Sequence, residues 1–234
     1  MEEPTKNPRR QPQAEQRTFA RNAKGVREMM SIKYDTFEFT GDWYQAFGNP
    51  EKRGVWLIWG QSGNGKTSFV MQLCKYLCRF GRVAYNSLEE GASLTMQNSL
   101  KRHNMMEVNR RFLLLDAESM EQLDIRLHRQ KSPDFVVIDS FQYTQMSFKQ
   151  YKEFKEHNKD KLIIFISHAD GKQPSGRAAR SVMYNADQKI YVESYRAFSR
   201  GRYNGPRKYF DIWPEEAQKA WPSLAPGEVS MPTK

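Results

Sequence analysis

The chain is short of cysteine, of long apolar runs and of acid relative to base, and each shortage removes a class of protein. Cys74 and Cys78 are the only cysteines, so no disulfide framework can hold this fold. They lie four apart on a stretch that reads as a helix, a spacing poor for a disulfide, and no further cysteine completes a zinc site. They read as buried free thiols rather than a redox pair or half a metal centre. Free thiols fit a reducing, cytoplasmic setting. No apolar run approaches the ~18 residues that span a bilayer. The polar, charged N-terminus has no signal-peptide core, and no membrane partner is expected. Acid is outnumbered: 37 Lys and Arg stand against 27 Asp and Glu, a net charge of +10. That excess favours a polyanionic partner, most simply nucleic acid.

Large aliphatics are also scarce at the two ends. Residues 1–33 are rich in Arg, Gln, Pro, Asn and Glu. They cannot bury enough surface to fold alone and are expected to be a basic, disordered tail. Residues 214–234 are proline-rich and are expected to form a loosely docked tail. Between them, residues 34–213 alternate strand and helix patterns, which predicts an α/β domain: a mainly parallel sheet with helices on both faces. Strands are expected near Val55–Trp59, Val83–Ser87, Phe112–Leu115, Phe135–Asp139, Leu162–Ser167 and Lys189–Val192. Helices are expected near Lys66–Phe80 (closed by Gly81 as C-cap), Ala92–His103, Ser119–Arg129, Phe148–His157 and Arg177–Tyr184. Tyr195–Ser199 and Lys208–Trp213 flank a Gly/Asn/Pro turn and read as an antiparallel hairpin.

What is present in full is the run Gly60-Gln61-Ser62-Gly63-Asn64-Gly65-Lys66-Thr67, a complete G-x-x-x-x-G-K-[ST] phosphate loop between an apolar strand and a helix. Its glycines let backbone N–H groups turn inward onto phosphate oxygens, and the following helix adds its positive end. Lys66 is expected to reach the β/γ-phosphates and the Thr67 hydroxyl to hold Mg²⁺. The expected ligands are ATP and Mg²⁺.

Further signals narrow the chemistry. Phe135-Val136-Val137-Ile138-Asp139 is an apolar strand ending in an acid, which would deliver Asp139 to the sheet's carboxyl edge as a second metal ligand. Val83–Ser87 runs into Leu88-Glu89-Glu90; a carboxylate there can orient an attacking water, with Glu89 the first choice and Glu90 the reserve. Leu162–Ser167 runs into His168, a candidate sensor of the γ-phosphate. The next segment is Gly/Pro-rich and basic, and Lys172, Arg177 and Arg180 are the candidate nucleic-acid contacts. His103, His128 and His157 read as surface residues.

In this order, the parts resemble the RecA-fold ATPases, especially the RadA and DnaB type and small phage-encoded recombinases built on that core. The resemblance runs roughly from Thr40 to Trp213. It is carried by Thr40-Gly41-Asp42-Trp43, Phe47-Gly48, the phosphate loop, Ser87-Leu88-Glu89, Asp139-Ser140-Phe141-Gln142, Ser167-His168 and Ala186-Asp187. Arg200-Gly201-Arg202-Tyr203-Asn204-Gly205 is similar to the family's K-x-R finger, with Arg in place of Lys at the first position. The resemblance implies that Glu89 orients water, that His168 senses the γ-phosphate, and that Arg200 and Arg202 act on a neighbouring subunit's nucleotide. A ring or filament follows from a finger in trans. Neither the zinc-finger and protease-like segments of full RadA nor the helical N-terminal domain of DnaB is found, which favours a minimal recombinase core. The expected function is a Mg-ATP-hydrolysing motor on single-stranded DNA in recombination, annealing or replication, alongside other replication or recombination proteins. A helicase or helicase accessory motor, and an ATP-bound scaffold with little turnover, are the alternatives.

Overall fold

The computed structural model describes residues 23–222. Expectations for residues 1–22 and 223–234 lie outside the described residues. Residues 23–35 belong to a unit of their own. Its described part holds one short helix, α1 (Val26–Ser31), with no buried side chain. Glu28, Met29 and Met30 are good helix formers; most of the expected tail, residues 1–33, lies outside the described residues.

In the second unit, from Thr36 onward, the strands are β1 (Gly54–Gly60), β2 (Val83–Ser87), β3 (Phe112–Asp116), β4 (Phe135–Asp139), β5 (Leu162–Asp170), β6 (Gln173–Pro174), β7 (Gln188–Glu193), β8 (Arg196–Ser199) and β9 (Tyr209–Asp211). They form one sheet in the order β3-β2-β4-β5-β1-β7-β8-β9, with β6 paired to β5. From β3 across to β7 the pairings are parallel. The β7–β8 and β8–β9 pairings are antiparallel. The helices are α2 (Gly41–Phe47), α3 (Lys66–Leu77), α4 (Leu94–Arg102), α5 (Met120–Leu127), α6 (Phe148–His157), α7 (Arg177–Asn185) and α8 (Pro214–Ala220).

Parallel strands covered on both faces are apolar along their length, and β1 shows why. Trp56 and Ile58 enter the core on the α3 side, while Val55, Leu57 and Trp59 enter the core shared with Tyr151 of α6 and Val182 of α7. The mainly parallel α/β sheet follows the sequence expectation, and its structural differences have local causes. Helix α3 stops at Leu77. Gly81 is no left-handed cap: a Cβ there would meet the Asp134 carboxylate at 2.7 Å. Helix α4 starts two residues later than expected, because the Ser93 side chain caps it by accepting from Met96 N. A capping box at Ser119 and Gln122 likewise starts α5. Strand β5 runs on past Ser167 and turns through Gly171 (φ 58°) into β6, so the expected basic loop is a hairpin leading into α7. The stretch after Trp213 is no loose tail at first: Pro214 opens α8, whose Ala217 is buried. Cys74 and Cys78 are free and buried, and burial raises both thiol pKa values, that of Cys78 to about 11. His128 is exposed and binds backbone carbonyls, but His103 is half-buried, not a free surface residue. Among the described residues no helix is long and apolar enough to cross a membrane.

Candidate active site

The register of the sheet decides which residues meet at its carboxyl edge. Strand β5 lies between β1 and β4, with Gly60 paired to His168. Beyond β4 lies β2, where Ser87 pairs with Asp139. Both Leu88 N and Glu89 N donate to the Asp139 carbonyl, at 2.6 and 3.2 Å. The chain leaving β2 is thereby held against the end of β4. Ser62, Lys66, Thr67, Glu89, Glu90, Asp139, Ser140 and His168 consequently line one small cleft of about 130 Å³.

The phosphate loop is built as its glycines require. Gly65 has φ 94°, a conformation that L side chains rarely adopt, and a Cβ there would press on the Tyr195 ring at 3.1 Å. Gly60 sits so close to β7 that a Cβ would lie 2.2 Å from the Val192 carbonyl oxygen. Lys66 begins α3 and its Nζ donates to the Gln61 carbonyl at 2.9 Å. The ammonium folds back onto the loop. Burial lowers its pKa, against the opposing pull of Asp139 and Glu89.

Asp139 accepts a hydrogen bond from the Tyr85 hydroxyl. Burial pushes its carboxyl from the ordinary 3.8 up to about 6, with Glu89 and Glu90 adding to the rise and the Tyr85 bond and Lys66 opposing it. Three carboxylates thus face one ammonium. Among the described residues no group of three or more His, Cys, Asp and Glu forms a metal cage of its own. A hydroxyl and one desolvated carboxylate instead suit Mg²⁺, which takes few protein ligands and completes its shell with phosphates and water. Thr67 and Asp139 fit that role.

Glu89 and Glu90 part company here. Glu89 is 2.9 Å from His168 Nε2, forming an ion pair when the imidazole is protonated. Glu90 accepts from the Thr95 hydroxyl at 2.9 Å, which ties it to the first turn of α4. Both acids line the cleft, with Glu89 next to His168 and Glu90 next to Thr95.

Sequence reasoning missed a second hollow. Asn64 accepts from Ser194 N through its side chain and from Tyr195 N through its carbonyl. Ser194 and Tyr195 both have positive φ, 44° and 57°, the pattern of a tight two-residue hairpin turn. The turn lays the Tyr195 ring over Gly65, edge-on to Trp213 with centroids 5.7 Å apart. Arg102 completes the wall, and the hollow of about 540 Å³ opens directly from the phosphate loop. The available signal was the pair of aromatics flanking the expected hairpin; the Ser-Tyr turn carries no Gly or Asn to announce itself.

The remaining predicted residues lie in two other places. Lys172, Arg177 and Arg180 are exposed on the β5–β6 turn and the first turn of α7, next to the cleft in chain order; Arg180 lies 3.9 Å from Asp170. Arg200 and Arg202 are not at this edge. Arg200 N donates to the Lys189 carbonyl and Arg202 N to that of Asp187, so both sit beside the start of β7. That start lies near the opposite, amino edge: Asp187 accepts from Val55 N near the beginning of β1. Arg200 stacks over Tyr191 at 5.0 Å, and Arg202 pairs with Asp187 at 3.0 Å.

With a phosphate loop before α3, an acid ending β4 and a mainly parallel sheet between helices, the comparison with known proteins agrees. The fold is that of the RecA-type P-loop ATPases. The flagellar accessory protein FlaH of Methanocaldococcus jannaschii superposes on this RecA-type fold with a TM-score of 0.58 at 15% identity, covering 76% of this chain and 93% of that one. The DNA repair protein RadA of Streptococcus pneumoniae is 27% identical over 153 residues, 60% of this chain and 36% of RadA. RadA of Streptococcus pyogenes serotype M3 is 33% identical over 86 residues, 37% of this chain and 18% of RadA. The chain thus spans about a third or less of those relatives' length. No protein-family model matches it.

Proposed function

We propose that this RecA-type domain binds Mg-ATP in the cleft and hydrolyses it while acting on single-stranded DNA, in recombination, annealing or replication. The observation that carries the reading is the convergence of Lys66, Thr67, Asp139, Glu89 and His168, from four strand ends, on one cleft. Lys66 and the phosphate-loop N–H groups bind the triphosphate. Thr67 and Asp139 hold Mg²⁺, which supplies charge neutralisation at the β/γ-phosphates. Glu89 orients the attacking water, and His168 donates toward the γ-phosphate. The base stacks on Trp213 and Tyr195 in the adjoining hollow.

Arg200 and Arg202 support a trans reading by their distance. Strand β1 has seven residues between the two edges, about 20 Å at the usual rise. A side chain held at the amino edge cannot cross that span to its own nucleotide. It can serve only a neighbouring copy, in a head-to-tail ring or filament. Lys172, Arg177 and Arg180 then face the DNA backbone. A switch with little turnover is the second reading, and the Glu89–His168 pair favours it, because each group occupies the other.

ATP hydrolysis measured with and without single-stranded DNA at low and high salt tests the proposal. Stimulation that fades with salt is expected. Hydrolysis indifferent to DNA would remove the DNA reading, and binding without turnover would favour the switch.

A further inference from the structure

Gln142 uses every polar group of its side chain to tie the γ-phosphate end of the cleft to the basic segment. Its Nε2 donates to the Ser175 carbonyl at 3.0 Å and to Ser167 Oγ at 2.8 Å. Its Oε1 accepts from His168 N at 3.3 Å. Ser175 N in turn donates to the His168 carbonyl at 2.9 Å. The bonds close a ring: His168 to Gln142, Gln142 to Ser175, Ser175 back to His168. The ring has a port on either side. On one, the His168 imidazole meets Glu89 in the cleft. On the other, Ser175 leads through Gly176 into α7 with Arg177 and Arg180. Gln142 itself comes from the short 3-10 turn Phe141–Thr144 that follows Asp139 on β4, so the ring also touches the expected metal strand.

We propose that Gln142 is the positioning residue that couples nucleotide occupancy of the cleft to the placement of the basic hairpin and α7, and so to affinity for single-stranded nucleic acid. The proposal rests on the nucleotide and DNA reading above. When His168 leaves Glu89 for a phosphate oxygen, its peptide moves. Because the N–H and the C=O of His168 are both held within the ring, Ser175 must follow or one of the ring's hydrogen bonds breaks. Two alternative arrangements of one hydrogen-bonded unit, each favoured by a different ligand state, are what coupling between two sites requires.

The test measures the Kd of the full chain for a fluorescein-labelled oligo(dT), with and without a slowly hydrolysed ATP analogue and Mg²⁺. The ratio of the two Kd values is the coupling factor. For the wild type, a factor on the order of 5- to 150-fold is expected. In Gln142→Met, similar in length but without the hydrogen bonds, the oligonucleotide and the analogue each still bind and the factor falls toward one. A purely structural role would lower stability while leaving the ratio in place, and a preserved ratio overturns the proposal. A wild type that binds the analogue but shows no nucleotide-dependent change in oligonucleotide affinity sinks the coupled reading itself, and Gln142's role with it. Should Gln142→Met not fold, Gln142→Glu puts the same question: it keeps the acceptor for His168 N and sets a carboxylate oxygen against the Ser175 carbonyl. The same loss of ratio is expected, and its retention counts against the proposal.

Discussion

The two edges of the sheet solve opposite problems with the same residue types. At the carboxyl edge, charges are gathered and left short of partners: Asp139 is desolvated up to a pKa of about 6, and burial lowers that of Lys66. At the amino edge Arg202 pairs with Asp187, while Arg200 lies over Tyr191 with its buried Nε unpartnered. In the proposed function the first arrangement serves phosphate and cation, and the second holds cations in place for a neighbouring copy. Each edge lacks what the other displays, and the two are a full strand length apart within one chain.

The contrast breaks most simply at Lys66. In Lys66→Ala, hydrolysis should fall by roughly 10²- to 10³-fold, as for loss of one preorganised group at a reacting centre. Ordinary turnover in that variant, measured by phosphate release, would end the claim that the carboxyl edge is the reaction centre. Arg202→Ala tests the other edge. Turnover should drop by roughly 10³-fold, the low end for an arginine finger, while nucleotide affinity stays within a few-fold. Mixing it with Glu89→Ala should restore part of the activity, since each variant retains what the other has lost. No recovery between variants that still assemble would show that the amino edge serves structure alone.

Asp139 sharpens the comparison through stability. Its folded-state pKa is raised, so the native protein holds this proton more tightly than the unfolded chain does. That contribution is fully present below pH 3.8 and is lost as pH rises through about 6. At pH 7 the buried carboxylate therefore costs about 3 kcal/mol or less. Asp139→Asn should raise Tm at pH 7 in the absence of Mg²⁺, and the gain should shrink at pH 4; destabilisation at both pH values would contradict the burial argument. The smallest effect is expected at Trp213. Trp213→Ala should weaken nucleotide binding by roughly tenfold, the worth of one stacking contact, with kcat little changed. Equal affinity in a fluorescence titration would move the base out of that hollow.

How much of this was legible follows residue by residue. The phosphate loop, Asp139 and the parallel strands could be read because each is a local pattern with a local cause: apolar runs buried on both faces, glycines where the backbone turns inward. Glu89 and His168 were legible as acids and bases at strand ends, but nothing local showed that Glu90 would accept from Thr95 while Glu89 meets His168. Gln142 stood within a quoted motif with no chemistry assigned, because its partners Ser167, His168 and Ser175 are distant in sequence. By its local pattern Tyr195 reads as a strand start, and its place over Gly65 depends on Asn64 pinning the turn. Helix α8 was hidden by the prolines around it, although Pro at a first helical turn is favourable.

By itself the sequence determined most of the strands and core helices, the phosphate-loop motif and the excess of positive charge, since these depend on residue type and near neighbours. Only tertiary structure decided which strand ends meet and which charges are paired. The strand order that sets β5 between β1 and β4 brings His168 between the phosphate loop and Asp139. The antiparallel return of β8 carries Arg200 and Arg202 back toward the far edge. The physical reason is range: helix, turn and loop preferences act over a few residues, whereas strand neighbours are chosen by how apolar faces pack across the whole sheet.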